Sequence, residues 1–200
     1  IGTRVKPARA PFASGQLWLP MPPDWASFSV PNSWHIDGRW FSIFPPGWPA
    51  VFALGFLLHA PTAVNPMLAG LTVIALFRVV GRLYDRRDAN GSCLLRILSP
   101  EFLLMSSGVM SHPLSALCSL VAVGELHRAW QNRSLIPAFV GGAAVGAVAL
   151  TRPFEGIVIS AAFGLYMLAR WREVFDRKLV PACLMFILAA GCVGALLLPY

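Results

Sequence analysis

The side chains best able to do chemistry here are ionisable groups inside or beside long apolar runs. Arg152 directly precedes Pro153, Glu155 follows three positions later, and His112 lies at a turn between two runs. A charged group within a membrane-spanning run is costly, and it marks a functional site by default. A guanidinium there can bind a phosphate through two parallel hydrogen bonds. A histidine can bind a metal ion or a phosphate oxygen.

Each of these groups also has a structural interpretation, which the sequence leaves open. Arg152 could extend to the lipid headgroups, and Glu155 could pair with Arg152 across one helical turn. His112 could be a surface residue of its turn. Glu101, which we place about halfway along its helix, could contact a substrate hydroxyl or pair with Arg96 or Arg152.

A second group of polar residues lies in the first quarter of the chain. Asp37-Gly38-Arg39 has the residue types of a tight turn, with a carboxylate and a guanidinium on either side of the glycine. The turn could be functional or purely structural. Asp24 and His35 are the other polar candidates of this segment.

Composition predicts that the chain folds in lipid. Hydrophobic residues are 56% of the 200 residues and charged residues 12%, whereas soluble domains carry about 25% charged residues. The Lys and Arg residues that give the net charge of +7 are dispersed in short clusters between apolar runs, so we expect no nucleic-acid partner. The four cysteines lie in apolar segments without C-x-x-C spacing, which predicts neither a disulfide framework nor a zinc site.

The chain divides into two parts. Residues 1–46, rich in Pro and Trp, predict a loop on the extracytoplasmic membrane surface after a missing first helix. Residues 47–200 predict an all-α, polytopic membrane helix bundle with about six crossings plus one interfacial or re-entrant helix at 47–60. A crossing needs about 20 residues, and we place the crossings at 62–80, 91–111, 113–126, 135–151, 154–170 and 179–198.

Basic clusters set the predicted orientation, because Lys and Arg accumulate in cytoplasmic loops. We assign three clusters to the cytoplasm: Arg78, Arg82, Arg86, Arg87 and Arg96; His127, Arg128 and Arg133; and Arg170, Arg172, Arg177 and Lys178. Alternation then places His112 and Arg152 on the outer side. If both 47–60 and 62–80 cross, the first loop is instead cytoplasmic.

Five sequence motifs, taken in order, resemble bacterial membrane glycosyltransferases related to the dolichyl-phosphate-mannose protein mannosyltransferases and the lipid A aminoarabinose transferases. They are Asp37-Gly38-Arg39-Trp40-Phe41-Ser42, Phe44-Pro45-Pro46-Gly47-Trp48-Pro49-Ala50, Val64-Asn65-Pro66, Ser99-Pro100 with Met110-Ser111-His112-Pro113, and Leu150-Thr151-Arg152-Pro153. The likeness runs from about Phe12 to Pro153. It implies a GT-C-like fold in a bacterial inner membrane, with the active site facing the periplasm or exterior.

The resemblance also implies a reaction and its partners. A sugar moves from a polyprenyl-phosphate donor to a lipid, glycan or protein acceptor, and a carboxylate deprotonates the acceptor hydroxyl. A cationic or divalent-metal-assisted site stabilises the leaving phosphate. Arg152 matches the family's Thr-Arg-Pro, and we expect it to bind the phosphate. Arg39, in the matched Asp-Gly-Arg, and Glu155, beside Arg152, are further candidates for binding substrate or phosphate. Asp37 and His112 are the catalytic candidates among the matched positions.

One part of the family pattern is missing. An Asp-Glu motif is expected near Ile1-Gly2, where neither residue is acidic. We therefore expect the chain to be a piece of a longer protein. This piece lacks the first helix as well, and we expect it to be inactive alone. The alternatives are a transporter or flippase of lipid-linked sugars, whose polar path Glu101 and Arg152 could line, and a catalytically inactive membrane protein.

Overall fold

The computed structural model describes residues 19–20, 33–42, 45–170, 172 and 179–197. Most of these residues are helical, which confirms the predicted all-α helix bundle. In chain order, the α-helices are α1 Gly47–Leu57, α2 Val64–Leu83, α3 Arg86–Leu98, α4 Pro100–Ser107, α5 His112–Asn132, α6 Leu135–Thr151, α7 Pro153–Ala169 and α8 Val180–Gly194. Two short 3-10 helices lie at Pro61–Ala63 and Ala195–Leu197.

A small antiparallel sheet, which the sequence analysis did not predict, precedes the helices. Its strands are β1 Leu19–Pro20, β2 Ser33–Ile36 and β3 Arg39–Ser42, in the order β1-β3-β2. The predicted turn is confirmed: Asp37 (φ 50°) and Gly38 (φ 74°) join β2 to β3. Positive φ at both central residues is typical of the type I′ hairpin turn that Asp-Gly favours. Aromatic residues on both sides of this turn favour strands.

Helix α1 has both of its ends against the same end of the bundle. A Cβ added at Gly47 would lie 2.7 Å from the carbonyl carbon of Leu150, at the end of α6. A Cβ at Gly55 would lie 2.9 Å from the Cα of Pro61, just before α2. Eleven residues of helix are about 16 Å long. This placement agrees with a helix that lies along one end of the bundle without crossing it.

Helices α2 and α5 run parallel to each other. The Thr72 hydroxyl donates to the Leu68 carbonyl oxygen at 2.7 Å and lies 3.4 Å from the Pro113 carbonyl oxygen. Further along both helices, Arg82 lies 4.0 Å from Glu125. Because α2 and α5 are parallel, the chain between them must run back from the end of α2 to the level of its start. Helices α3 and α4 together form that segment, and the Cys93 thiol contacts the Val73 carbonyl oxygen midway, at 3.6 Å.

The prediction that one continuous helix spans 91–111 is wrong. The chain forms α3 and α4 there, divided at Ser99, and α4 meets α5 at an angle of 115°. Pro100 causes the division because a proline disfavours helical geometry in the residue before it. Ser99 is accordingly extended (φ −68°, ψ 118°), and its hydroxyl accepts a hydrogen bond from the Phe102 backbone N–H at 3.4 Å.

The core lies where α6 packs against α5 and α8. Small residues let these helices approach closely: Ala122 and Ala138 are fully buried, and a Cβ at Gly142 would overlap the backbone carbonyl of Phe186. Gly141 and Gly142 therefore mark the close approach of α6 to α5 and α8. In this way α6 is fixed between its neighbours and its end at Thr151 is held in place.

Among the described residues, one helical stretch, Pro61–Leu83, is long and apolar enough to cross a membrane. Helices α4 and α5 meet the same test only when taken together as a bent pair. The other apolar helices are α1, α6, α7 and α8, of 11 to 17 residues. The six crossings remain a prediction.

Candidate active site

Arg152 occupies a break between two helices. Helix α6 ends at Thr151 and α7 begins at Pro153, so Arg152 is the residue between them, with φ −147° and ψ 86°. Pro153 explains this geometry because it forces the preceding residue out of the helical region. The Thr151 hydroxyl donates to the Ala147 and Val148 carbonyl oxygens, each at 2.9 Å, and closes the end of α6. The break thus fixes the backbone that carries the guanidinium.

His112 is the first residue of α5, and the corner that leads to it is held from α2. The Asn65 side-chain amide donates to the carbonyl oxygens of Gly108 (2.5 Å) and Met110 (3.0 Å), and lies 3.5 Å from that of Met105. Asn65 is buried, with 4% of its surface exposed. One α2 side chain therefore fixes the end of α4 and the approach to His112.

Four side chains from the two helix starts form one hydrogen-bonded cluster. Arg152 Nη1 lies 2.8 Å from His112 Nδ1 and forms an ion pair with Glu155 Oε1. The other Glu155 oxygen, Oε2, accepts a hydrogen bond from the Ser115 hydroxyl at 2.6 Å. The predicted Arg152–Glu155 pair is therefore confirmed, and the guanidinium is oriented on two sides.

A cavity of about 200 Å³ lies beside this cluster. Helices α3 and α4 form its other wall, where the Arg96 guanidinium lies 4.4 Å above the Phe102 ring, a distance at which a cation is attracted to an aromatic face. The cavity is lined by Arg96, Glu101, Phe102, Met105, His112, Pro113, Ser115, Ala116, Ser119, Arg152 and Glu155. Two cations and two carboxylates thus border a small cavity whose remaining lining is partly apolar.

Two sequence-based placements are corrected here. Glu101 is in the first turn of α4, not halfway along a helix, because Pro100 starts a new helix. Arg96 lines the cavity with His112 and Arg152, whereas we had assigned it to the cytoplasmic cluster at the other end. Arg96 is about 15 Å from Arg86 along α3. Residues of one basic cluster in the sequence therefore lie at two different levels along the bundle.

The other predicted site residues lie elsewhere. Asp37 and Arg39 are exposed at the hairpin, and neither lines the cavity described above. Only the backbone of His35 is described, in β2. Asp24 lies outside the described residues.

Sequence reasoning missed Ser115 and the interaction of Asn65 with the α4–α5 corner. Ser115 lies three residues after His112 in α5, so a polar stripe beginning at the helix start was a usable signal. For Asn65 the signal was weaker, because an amide at a helix start is common at caps.

A divalent metal ion finds no ready ligand set in this part of the chain. Among the described residues, no three His, Cys, Asp or Glu side chains are grouped closely enough to hold one. His112 and Glu155, the nearest candidates by type, are both engaged by Arg152.

Comparison with known proteins gives one family. The family model described as dolichyl-phosphate-mannose-protein mannosyltransferase matches residues 45–195. This range includes every residue that lines the cavity and about three quarters of the chain. No curated protein and no solved structure matches the sequence.

Proposed function

The chain belongs to the dolichyl-phosphate-mannose-protein mannosyltransferase family, and we propose that it is a membrane glycosyltransferase moving a hexose or pentose from a polyprenyl-phosphate donor. Family membership indicates glycosyl transfer from a lipid-linked sugar to an acceptor. The polyprenyl phosphate and a lipid, glycan or protein acceptor are parts of the proposal. So is the location, a bacterial plasma membrane with the active site facing the periplasm or exterior.

The observation that carries this proposal is the placement of Arg152 at the cavity. When the bond to the sugar breaks, negative charge develops on the departing polyprenyl phosphate. A guanidinium already fixed by Glu155 can meet that charge without reorganising, which is how preorganised donors stabilise a transition state. Its side chain is 32% exposed, so it can contact a ligand in the cavity. We assign phosphate binding to Arg152.

Cavity size supports binding of the polar part of the donor. Sites for drug-sized ligands occupy about 300–1,000 Å³, and this cavity of about 200 Å³ suits a sugar phosphate group rather than a polyprenyl chain. The polyprenyl chain would then lie in the lipid, against exposed apolar side chains of the surrounding helices. Examples are Leu103, Leu104 and Phe154, whose exposed fractions are 55%, 70% and 79%.

Charge at the opposite end of the bundle supports an outward-facing site. Arg82 and Arg128 both contact Glu125 in the second half of α5, toward the end of that helix that is opposite to His112 and the cavity. Twenty-one residues separate these ends by about 30 Å, which is close to the thickness of the apolar bilayer core. If the basic end is cytoplasmic, the cavity faces the other side.

The test is a transfer assay on the full-length protein in liposomes. The donors are polyprenyl phosphates bearing labelled mannose or arabinose. A membrane extract of the source cell supplies the acceptors. We expect Arg152→Ala to reduce transfer roughly 100- to 1,000-fold, the loss typical of one electrostatic donor. Arg152→Lys should retain part of the activity, since it keeps the charge but not the two-pronged geometry.

Arg128→Ala is the matched control. Arg128 also pairs with a glutamate three residues away, Glu125, but it lies at the other end of α5. We expect it to leave transfer unchanged. Undiminished transfer by Arg152→Ala would remove the phosphate-binding assignment. Movement of the labelled donor between leaflets with no new glycosidic bond would replace the enzyme by a flippase.

A further inference from the structure

We propose that Arg96 binds the phosphate of the departing polyprenyl phosphate from the wall opposite Arg152, and that it makes the cavity prefer this product to the sugar-bearing donor. The proposal rests on the proposed function and names a further binding residue for it. It follows from three features of Arg96: its place at the cavity, its contact with Phe102, and the state of its charge among the described residues.

The break between α3 and α4 places Arg96 at the cavity. Arg96 lies in the last turn of α3, and the helix ends at the next turn because Pro100 disfavours helical geometry at Ser99. The cavity of about 200 Å³ is lined by Arg96 from this side and by Arg152 from the break between α6 and α7. Guanidinium groups from two separate parts of the fold therefore border one small space.

Phe102 holds the Arg96 guanidinium without using its hydrogen-bond donors. The guanidinium carbon lies 4.4 Å from the centre of the Phe102 ring, and Phe102 itself is buried. The ring attracts the positive charge through its π face, which offers no oxygen or nitrogen acceptor. The five N–H donors of the guanidinium therefore stay available to a ligand.

No carboxylate balances the charge of Arg96 within the described residues. Arg152 forms an ion pair with Glu155, whereas the ion pairs found in the described part of the chain do not include Arg96. Glu101 lines the same cavity, but its predicted pairing with Arg96 or Arg152 is not formed among these residues. Glu101 is exposed and Arg96 is half-buried, so solvent screens the carboxylate more strongly than the guanidinium. The cavity can therefore attract an additional negative charge at Arg96.

The phosphate gains such a charge during transfer. In the donor it is a diester with a single negative charge. The acceptor oxygen forms a bond to the anomeric carbon, the bond from that carbon to the phosphate oxygen breaks, and the electron pair stays on the phosphate. The hydroxyl proton passes to a carboxylate base. The product is a monoester, which carries a charge of about −1.5 to −2 at pH 7, so a second guanidinium binds the product and the transition state before it more strongly than the donor.

Two other roles of Arg96 would give different results. A basic residue in the last turn of a helix stabilises that helix, and this role does not depend on the charge of a ligand. A basic pocket between membrane helices can also bind the phosphate of an ordinary phospholipid, and this role does not depend on the polyprenyl chain. The ligands of the experiment therefore differ in charge and in the attached chain.

The experiment measures the binding of four lipids to the full-length protein in phosphatidylcholine vesicles. The lipids are a neutral polyprenol, its methyl phosphate diester, its phosphate monoester, and phosphatidic acid, which is a phosphate monoester on diacylglycerol. We expect the wild type to prefer the polyprenyl monoester to the diester roughly tenfold, the scale of one hydrogen bond to a charged group. Arg96→Gln should lose most of this preference and bind polyprenol normally. Arg96→Lys, which keeps the charge, should retain part of the preference.

Arg86→Gln is the matched control. Arg86 starts the same helix, is exposed and does not line the cavity, so this variant should show the wild-type preference. A second readout comes from the transfer assay, in which the product competes with the donor. Added polyprenyl phosphate should inhibit Arg96→Gln more weakly than the wild type, by roughly the factor by which its binding weakens.

The outcomes separate this proposal from the one beneath it. If the wild type transfers sugar and Arg96→Gln keeps the preference for the monoester, the Arg96 assignment is overturned and the proposed function stands. Equal weakening of all three polyprenyl lipids in Arg96→Gln would show a structural role instead. If phosphatidic acid binds as tightly as polyprenyl phosphate, the cavity binds a membrane phospholipid and the assignment to the product is overturned. A wild type that neither transfers sugar nor distinguishes the charged lipids from polyprenol overturns both proposals.

Discussion

Arg152 donates a hydrogen bond to His112 across 40 positions of sequence, with 2.8 Å between Nη1 and Nδ1. This contact joins the break between α6 and α7 to the start of α5. The two residues belong to separate motifs of the sequence, and the fold makes them one group. Because the guanidinium can only donate, the contact also fixes which nitrogen of the imidazole faces it.

The first prediction tests this contact. We expect His112→Phe to weaken binding of polyprenyl-phosphate mannose roughly 10- to 100-fold, because a hydrogen bond to a charged group is worth about 1.5–3 kcal/mol and about 1.4 kcal/mol is a factor of ten. His112→Asn keeps an acceptor for Arg152 and should bind better than His112→Phe. The measurement is a donor titration on purified protein; equal affinities for the two variants would contradict the contact's importance.

How much of this site the sequence could predict depends on how local each contact is. Arg152 and Glu155 are separated by one helical turn, so their ion pair followed from helix geometry. The His112–Arg152 and Ser115–Glu155 contacts each span 40 positions. They require α5 to pack against α6 and α6 to pack against α7, through small buried residues such as Ala122, Gly141 and Gly156. No local pattern specifies this packing.

The fold shows the same division between local and long-range information. Apolar runs predicted most of the helices, but the run at 91–111 concealed a change of helix at Pro100. Arg96 was then counted with the basic residues near it in sequence. In the structure its guanidinium packs on Phe102 from the next helix, a contact that depends on the angle between α3 and α4.

A second prediction concerns the corner between α4 and α5. We expect Asn65→Ala to destabilise the protein by about 1–3 kcal/mol, since the carbonyl oxygens of Gly108 and Met110 lose a buried donor. Asn65→Asp should be worse, because a carboxylate offers these carbonyls only further acceptors. Thermal unfolding in detergent measures the loss. Asn90→Ala, which changes an exposed residue of α3, is the control. If Asn90→Ala lowered the unfolding temperature as much as Asn65→Ala does, the role of Asn65 in holding this corner would be contradicted.

A third prediction compares two glycines in apolar helices. Gly142→Ala should destabilise by about 1–3 kcal/mol through overpacking, because its Cβ meets the Phe186 backbone of α8. At Gly164, in α7, nothing lies within 4 Å of an added Cβ. Gly164→Ala should therefore stabilise by about 0.5–1 kcal/mol, the helix preference of alanine over glycine. Paired unfolding curves decide, and equal shifts for the two variants would contradict the close approach of α6 and α8.

The last prediction concerns which side of the membrane the hairpin faces. Asp37 is exposed at the turn between β2 and β3, and Arg86 is exposed at the start of α3, on the basic side of the bundle. Basic residues are retained in the cytoplasm, so the predicted orientation places position 86 inside and position 37 outside. A single cysteine at position 37 should therefore react with an impermeant maleimide on intact spheroplasts. A single cysteine at position 86 should react only after lysis. The background variant replaces the native cysteines, Cys93, Cys118, Cys183 and Cys192. Labelling of both positions from the same side would overturn the predicted orientation and, with it, the outward-facing cavity.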